Sequence, residues 1–382
     1  MPNVIIMGPA YPLRGGIASF NERLARAFQQ EGWNVEIYTF SLQYPTILFP
    51  GTSQFSNELK PTDLKINVCI NSVNPFNWIR IGLKLKQSSP DLIIVRYWIP
   101  FMGPCLGTIL KFVKKINTCK IICIADNVVP HEKRIGDAFF TRYFINKPDA
   151  FITMSAKVDL DLKKFLPNSK SIITDHPLFD NFGKSIPKDV ARNILNLPKD
   201  EKIIMFFGFI RKYKGLDLLI AAFNYAILKT QNIKLLIAGE FYDESKPYLD
   251  LIDKFGIQDK IYLHTHYIPD SEIKNYFSAA DLIVQPYRHA TQSGVTPLAY
   301  YFDKPMVVTD VGGLASLVPH KIAGLVCQPT SEDLANTIVQ FFNMDETIFQ
   351  NGIQVMKKKL SWATLITHIK SLANSIQKNN KT

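Results

Sequence analysis

The chain has 382 residues, of which 47% are hydrophobic and 20% charged, so it is long enough for two globular domains and too apolar for a disordered chain. Its formal net charge of +11 favours anionic partners (nucleic acid, anionic lipid or phosphorylated small molecules), but the cations are spread along the chain and select none of these. Five cysteines without a CxxC pair argue against a disulfide framework or a zinc site and for buried thiols in a reducing compartment.

The chain begins with a short apolar run, Val4 to Met7, which predicts a first β-strand and is too short for a signal peptide. No stretch reaches about 18 uninterrupted apolar residues, so no transmembrane helix is predicted. We therefore expect a cytoplasmic protein, with a position at the inner face of the membrane as a further option.

The first half of the chain alternates short apolar runs with helical periods. Between the first two predicted strands, Ile17, Phe20, Leu24 and Phe28 recur at near-helical spacing. This alternation is typical of βαβ units in a parallel, doubly wound sheet. In this half, strands are predicted at residues 3–7, 35–40, 92–95, 121–125 and 151–154.

The second half restarts the same alternation after a polar connection and ends in a helix with Leu365, Ile369, Leu372 and Ile376 on one face. We expect an α/β fold with two Rossmann-like, doubly wound parallel-sheet domains facing across a cleft. Strands are predicted at residues 203–207, 235–238, 261–264, 281–284, 306–309 and 325–327. The predicted divisions are an N-terminal domain (1–182), a linker (183–200), a C-terminal domain (201–360) and a final helix packing back on the N-terminal domain (361–382).

Ligands of such sheets bind beyond the carboxyl ends of the strands, so the loops there are the candidate sites. After the first strand, Gly15 and Gly16 follow Arg14 and could cradle a phosphate with backbone amides, although the loop is not GxGxxG. A tight turn that needs positive φ is the alternative. After a later strand, Arg96 and Trp98 suit a sugar or anion surface, but such residues are also common in packing.

Another candidate lies after the strand at 121–125, where His131 could act as a general base or donate a hydrogen bond to a substrate. A histidine in a loop without such a role is the alternative. Asp159 and Asp161 form a DxD pattern within a predicted helix, where the carboxylates would point apart, so we interpret them as a solvated surface rather than a cation site.

Two stretches, 78–86 and 110–115, mix apolar residues with lysine and arginine. Such amphipathic stretches could lie on an anionic membrane. An ordinary packed helix with a cationic outer face is the alternative. The sequence leaves both open.

In the second half, the strand at 203–207 is followed by a glycine, Gly208, and by two cations, Arg211 and Lys214, at a helix start. Cations are disfavoured at a helix N-terminus, so an anionic ligand would explain them; a solvated basic turn is the alternative. The segment 291–301 follows the strand at 281–284 and opens another helix, with Ser293 suited to the N-cap and Gly294 to close backbone approach. It predicts an anion-binding helix start or an ordinary turn.

Together these elements resemble glycosyltransferase family 4, the retaining nucleotide-sugar transferases of GT-B architecture, over the whole chain. The resemblance rests on Gly15-Gly16, on residues 207–215, 280–286 and 304–313, and on the closing tryptophan-containing helix. Residues 127–132 and 291–295 look like those of a bacterial subgroup that builds surface polysaccharides.

The resemblance implies that the C-terminal domain binds a nucleotide diphosphate sugar and the N-terminal domain the acceptor, a saccharide or a lipid-linked one. Arg211 and Lys214 would contact the diphosphate and His131 the donor sugar, and no metal or other cofactor is expected. The candidate donor and phosphate contacts are Gly15, Gly16, Gly208, Glu240, Thr291, Gln292, Ser293, Gly294, Val295 and Thr296. The acceptor-side candidates are Arg14, Arg96, Trp98 and Glu132.

One departure from the family concerns two glutamates, at whose positions this chain has Ala290 and Leu298. Neither side chain can bind a hydroxyl, so ribose must be held by other groups, for which Thr291, Gln292 and Glu240 are the candidates. We expect a retaining glycosyltransferase of cell-surface polysaccharide synthesis. The alternatives are a nucleotide-sugar epimerase of the same architecture and a non-catalytic nucleotide-sugar binder, whereas nucleic acid is not expected as a partner because no recognised module is present.

Overall fold

A computed structural model describes residues 1–45, 53–114, 119–130, 136–290 and 293–376 of the chain. The chain forms two compact units, Met1–His176 with Trp362–Thr382, and Pro177–Ser361. Each unit is a parallel sheet with helices around it, which is the expected doubly wound architecture.

The first unit contains a seven-stranded sheet in the order β3-β2-β1-β4-β5-β6-β7. Its central strands are continuous apolar runs because helices cover both faces of the sheet. The order reverses between β1 and β4, so the loops after these two strands border the crevice where ligands bind in such folds. The strands are β1 (Asn3–Met7), β2 (Asn34–Leu42), β3 (Lys65–Asn71), β4 (Leu92–Tyr97), β5 (Lys120–Ala125), β6 (Ala150–Thr153) and β7 (Ser171–Ile173), and the helices are α1 (Gly16–Gln30), α2 (Pro75–Ser88), α3 (Gly103–Val113), α4 (Asp137–Ile145) and α5 (Ala156–Phe165).

The second unit contains a six-stranded parallel sheet in the order β10-β9-β8-β11-β12-β13. Here the order reverses between β8 and β11, so the loops after β8 and β11 meet at the switch point. The strands are β8 (Lys202–Phe207), β9 (Ile233–Ala238), β10 (Ile261–His264), β11 (Leu282–Gln285), β12 (Met306–Thr309) and β13 (Gly324–Cys327). The helices are α6 (Lys188–Ile194), α7 (Leu216–Ala222), α8 (Ala226–Lys229), α9 (Lys246–Phe255), α10 (Ile273–Ala279), α11 (Val295–Tyr301), α12 (Ser331–Phe342) and α13 (Glu346–Lys359), and α14 (Trp362–Ser375) lies in the first unit.

Residues 183–200, which the composition assigned to a linker, are instead part of the second unit. Helix α6 packs on α10, and Arg192, which is fully buried, forms an ion pair of 2.7 Å with Asp281. The same guanidinium donates to the backbone oxygens of Ala279 and Glu201 at 3.1 and 2.9 Å. A buried arginine with this many partners fixes the segment to the sheet, and local polarity does not reveal such long-range bonds.

The DxD pattern was also misinterpreted in part, because Asp159 is buried rather than solvated. Its carboxylate accepts a hydrogen bond from Ser171 Oγ at 2.6 Å and pairs with Lys163 at 2.5 Å. Asp161 pairs with Lys164. In the part of the chain that the structure describes, no group of three or more histidine, cysteine or acidic side chains is placed to hold a metal ion.

Candidate anion-binding site at the sheet switch point

The loop after β8 is shaped by two glycines in the left-handed region, Gly208 with φ of 96° and Gly215 with φ of 66°. A Cβ atom on Gly215 would lie 2.0 Å from the carbonyl oxygen of Pro286, so the loop touches the end of β11 through backbone alone. A Cβ atom on Gly208 would lie 3.1 Å from Lys214 Nζ. The two glycines therefore allow the chain to fold Lys214 back over the carboxyl end of the sheet.

The ammonium of Lys214 is the most unusual group in this loop. Burial, and after it the charge of Arg211, lowers the pKa of Lys214 from 10.5 to about 7. The residue as a whole is only half-buried, but the enclosed ammonium is the group that titrates. Within the described residues this ammonium has no hydrogen bond or ion pair, and the centre of the Tyr287 ring lies 5.8 Å from it.

Arg211 provides a second uncompensated cation three residues earlier. Its guanidinium carbon lies 5.0 Å from the centre of the Tyr242 ring, and no carboxylate in the described ranges pairs with it. The acids of this region have other partners: Asp217 pairs with Arg288 at 2.5 Å, and Asp243 accepts from the Lys212 amide at 2.5 Å. Two adjacent cations without counter-charges are costly unless an anion joins them.

The segment after β11 is held by a polar network around Gln285. Ser293 Oγ donates to Gln285 Oε1 at 2.6 Å, and Gln285 Nε2 donates to Thr296 Oγ1 at 3.1 Å. Ser293 Oγ also accepts from the amide of Val295 at 3.2 Å and lies 3.4 Å from the Tyr287 hydroxyl. Since all of these side chains are buried, the network fixes the backbone that enters α11.

The prediction that Ser293 is the N-cap of this helix is wrong. Helix α11 begins at Val295, and Gly294, already in helical conformation, precedes it. The hydroxyls of Ser293 and Thr296 are hydrogen-bonded to Gln285. The resemblance implies that the backbone amides at the start of α11 bind phosphate oxygens, and this role stays a prediction.

The two positions without the family's glutamates are part of the apolar packing. Ala290 and Leu298 are each 4% exposed. A Cβ atom on Gly312 would lie 1.7 Å from the Ala290 carbonyl oxygen, so the turn at Gly312 presses directly on this segment. There is no carboxylate at either position, and neither side chain faces solvent.

Glu240 lies beside the cationic loop. It is buried directly after β9, and its carbonyl oxygen accepts from the Ile210 amide at 2.8 Å. Gly239, with φ of 142°, allows this contact, because a Cβ atom there would lie 2.3 Å from the Gly208 carbonyl oxygen. The loops after β8 and β9 therefore form one surface.

Sequence reasoning missed an aromatic cluster on this surface. The rings of Phe209 and Tyr242 lie 4.2 Å apart, and those of Phe209 and Tyr267 lie 6.2 Å apart and nearly parallel. All three residues are half-buried. Each of these residues follows a strand of the sheet within a few positions. This recurrence of aromatic residues after strands was the sequence signal that could have predicted the cluster.

In the first unit, the loop after β1 opens α1. Gly15 has φ of 107° and its carbonyl oxygen accepts from Ala18 at 2.9 Å, whereas a Cβ atom on Gly16 would meet no described atom within 4 Å. Gly15 therefore makes the turn, and no described atom crowds Gly16. The amide of Arg14 donates to the Gln54 carbonyl oxygen at 3.1 Å, which ties the loop to the segment before β3.

Two acceptor-side candidates have partners within the first unit. Arg96 is 3% exposed, forms a bidentate ion pair with Asp126, and its guanidinium carbon lies 4.0 Å from the centre of the Phe20 ring. Trp98 is half-buried, and its indole N–H donates to the Tyr44 hydroxyl at 2.6 Å. These contacts use the Arg96 guanidinium and the Trp98 N–H, and the acceptor-side role of both residues stays a prediction. Four further candidates lie outside the described residues: His131, Glu132, Thr291 and Gln292.

Two Rossmann-like parallel-sheet units are the architecture of GT-B glycosyltransferases, and solved structures agree with this fold. The chain matches sucrose-phosphate synthase of Thermosynechococcus elongatus with a TM-score of 0.74 at 16% identity, over 98% of each chain. It matches Anabaena HepE in complex with UDP-glucose with a TM-score of 0.72 at 16% identity, over 98% of this chain and 100% of that one. The fold is therefore GT-B.

Residues 187–351, all within the second unit, match the family model described as glycosyl transferases group 1. The chain is 28% identical to an uncharacterized glycosyltransferase of Methanocaldococcus jannaschii, over 45% of this chain and 44% of that protein. A second uncharacterized glycosyltransferase of that organism is 23% identical over 95% of each chain. The putative teichuronic acid biosynthesis glycosyltransferase TuaC of Bacillus subtilis is 23% identical over 68% of this chain and 63% of TuaC.

The first relatives are matched over only part of their length, 44% and 41% for the first two. These matched relatives are all named glycosyltransferases. Within the described ranges, no helix has the length and apolar character needed to cross a membrane.

Proposed function

We propose that this protein is a retaining glycosyltransferase that moves a sugar from a nucleotide diphosphate sugar to a saccharide or lipid-linked acceptor, in the synthesis of a cell-surface polysaccharide. The observation that carries the proposal is the enclosed ammonium of Lys214, which has no partner in the described residues and lies beside the equally unpaired Arg211. A diphosphate would supply the missing counter-charge to both cations. Their position at the switch point of the sheet is where such folds bind ligands.

The chemistry follows from this charge arrangement. When the sugar–phosphate bond breaks, negative charge grows on the leaving diphosphate. In the proposal Lys214 and Arg211 stabilise that charge together with the first amides of α11, so no metal is required. With the diphosphate bound, the half-buried Lys214 ammonium is a cation in a partly dry site, where its interaction with the diphosphate is stronger than in water.

The donor and product are proposed from the relatives. HepE was solved with UDP-glucose, which makes UDP-sugars the first donors to test. TuaC is named for teichuronic acid biosynthesis, which supports a surface polysaccharide as the product. Retention of configuration is proposed from the resemblance to family 4.

The test is turnover of a panel of UDP-, GDP- and ADP-sugars with saccharide and lipid acceptors, by Lys214→Met and by the control Lys212→Met. Lys212 is an exposed lysine of the same loop. Loss of a group that stabilises leaving-group charge costs roughly 100- to 1000-fold in kcat. The control should remain within about twofold of wild type. Equal turnover by Lys214→Met and wild type would remove Lys214 from the mechanism.

The buried Ala290 and Leu298 favour one second function, a nucleotide-sugar binder without catalysis, because both family carboxylates are missing. Such a protein would bind a sugar nucleotide and leave it intact with every acceptor. Donor consumption in the same panel separates the two functions.

A further inference from the structure

Helix α2 exposes large apolar side chains along one side. Phe76 is 84% exposed, Leu83 44% and Ile79 38%. Their spacing of three and four residues places them in one row on the helix. Together with Arg80, Lys84 and Gln87 they line one shallow depression, and we refer to these six residues as the α2 stripe. A contiguous exposed apolar patch of this kind marks an interaction surface.

The opposite side of α2 fixes the helix to the unit. Ile81 and Leu85 are buried, and a Cβ atom on Gly82 would lie 2.8 Å from Phe112 Cβ on α3. Asn74 caps the helix by accepting from the amides of Phe76 and Asn77. The α2 stripe is therefore presented by a well-anchored helix and does not result from loose packing.

The charged residues of α2 and of its neighbour α3 are all cations. Helices α2 and α3 contain no acidic residue, and Arg80, Lys84, Lys86 and Lys111 are all exposed. The ammonium of Lys84 lies 5.5 Å from the Tyr38 ring. On the neighbouring strands, the carboxylate of Glu36 is paired with Lys65 at 2.6 Å. A row of apolar side chains flanked by cations suits the surface of an anionic bilayer.

The α2 stripe lies largely within the first of the two stretches that the sequence suggested, 78–86, and adds Phe76 and Gln87 at its ends. Trp78 does not face solvent fully, because its indole N–H donates to the Asn71 carbonyl oxygen at 2.7 Å and its ring packs on the core. In the second stretch Leu110 and Val113 are buried, and Lys114 lies 3.7 Å from an Asp149 oxygen. In the described part of the second stretch, residues 110–114, no apolar side chain is exposed, so the α2 stripe is the stronger candidate of the two.

We propose that the α2 stripe docks on the surface of an anionic phospholipid bilayer. Phe76, Ile79 and Leu83 enter the boundary between headgroups and acyl chains, while Arg80 and Lys84 contact lipid phosphates. The proposal goes beyond sugar transfer and does not depend on it, because binding to vesicles needs neither donor nor acceptor.

The test is co-sedimentation of the full chain with phosphatidylcholine vesicles and with vesicles of phosphatidylcholine and phosphatidylglycerol in a ratio of about 2:1. The protein should bind the mixed vesicles, bind them less as salt rises, and leave pure phosphatidylcholine largely unoccupied. The double variant Arg80→Ser/Lys84→Ser should weaken binding roughly tenfold or more. Phe76→Ser/Leu83→Ser should also weaken it roughly tenfold, because buried apolar area is lost.

Matched controls test whether binding depends on the α2 stripe rather than on the net charge or on exposed apolar side chains elsewhere. Lys157→Ser/Lys358→Ser removes two exposed lysines elsewhere and the same two charges, and Leu160→Ser removes a leucine that is 63% exposed on α5. Both controls should bind like wild type, and all variants should keep the wild-type unfolding midpoint. Absence of binding to the mixed vesicles, equal binding to both kinds of vesicle, or equal loss in the controls would each overturn the proposal.

Discussion

The shifted pKa of Lys214 makes the affinity for a sugar nucleotide depend on pH. In the free protein its pKa is about 7, lowered chiefly by burial and further by Arg211. A bound diphosphate favours the charged form and therefore raises this pKa. Binding should then be strong below the free-state pKa and weaken as pH rises through it. UDP-glucose is a suitable probe because both of its phosphates are esterified and carry no proton to lose in this range.

The size of the effect follows from the fraction of Lys214 that is protonated before binding. With a pKa of about 7, that fraction is about 0.9 near pH 6 and about 0.1 near pH 8. The apparent Kd scales inversely with the competent fraction, so it should weaken roughly tenfold across this interval. Near pH 8 each binding event should take up about 0.9 proton, against about 0.1 near pH 6.

Titration calorimetry in two buffers of different ionisation enthalpy measures both the Kd and the proton uptake. Lys214→Met should bind UDP-glucose more weakly than wild type near pH 6. Near pH 8 it should lack the proton uptake that wild type shows on binding. The exposed Lys212→Met should behave as wild type. A wild-type Kd that does not change between these pH values, or an uptake that persists in Lys214→Met, would refute the reasoning.

Two further predictions concern the frame that holds the site. Gly215→Ala should lower the free energy of unfolding, measured by urea titration, by roughly 2 kcal/mol or more, because the φ of Gly215 is 66° and a Cβ atom would lie 2.0 Å from the Pro286 oxygen. The control Gly256→Ala should cost roughly 1 kcal/mol in the same titration, because the φ of Gly256 is 59° but no described atom lies within 4 Å of its Cβ position. Arg192→Met should cost roughly 3–5 kcal/mol, since it leaves Asp281 without its buried partner. A loss below about 1 kcal/mol in urea would show that the connection is not fixed by this pair.

The alternation of apolar runs was enough to predict most of the sheet. The strands at 3–7, 261–264 and 306–309 match the structure. Two edge strands were missed for physical reasons. In β3, polar residues interrupt the apolar ones at an edge that needs no continuous apolar run, and β7 has only three residues.

The candidate site was predictable as a set of loops but not as a set of contacts. Glycines and cations after β8 were visible in sequence, whereas the burial that lowers the pKa of Lys214 depends on the folded structure, in which the Tyr287 ring, far along the chain, lies 5.8 Å from its ammonium. Arg96 and Trp98 have partners 30 and 54 residues away, which no local pattern reveals. Tertiary hydrogen bonds, rather than local propensity, decided these side chains.

The most direct test of the central claim is a crystal structure of the protein with UDP bound. The account predicts phosphate oxygens within about 2.7–3.2 Å of Lys214 Nζ and of the Arg211 guanidinium. It also predicts that the diphosphate lies at the carboxyl ends of β8 and β11. A diphosphate bound elsewhere, with the Lys214 ammonium still without a counter-charge, would contradict it.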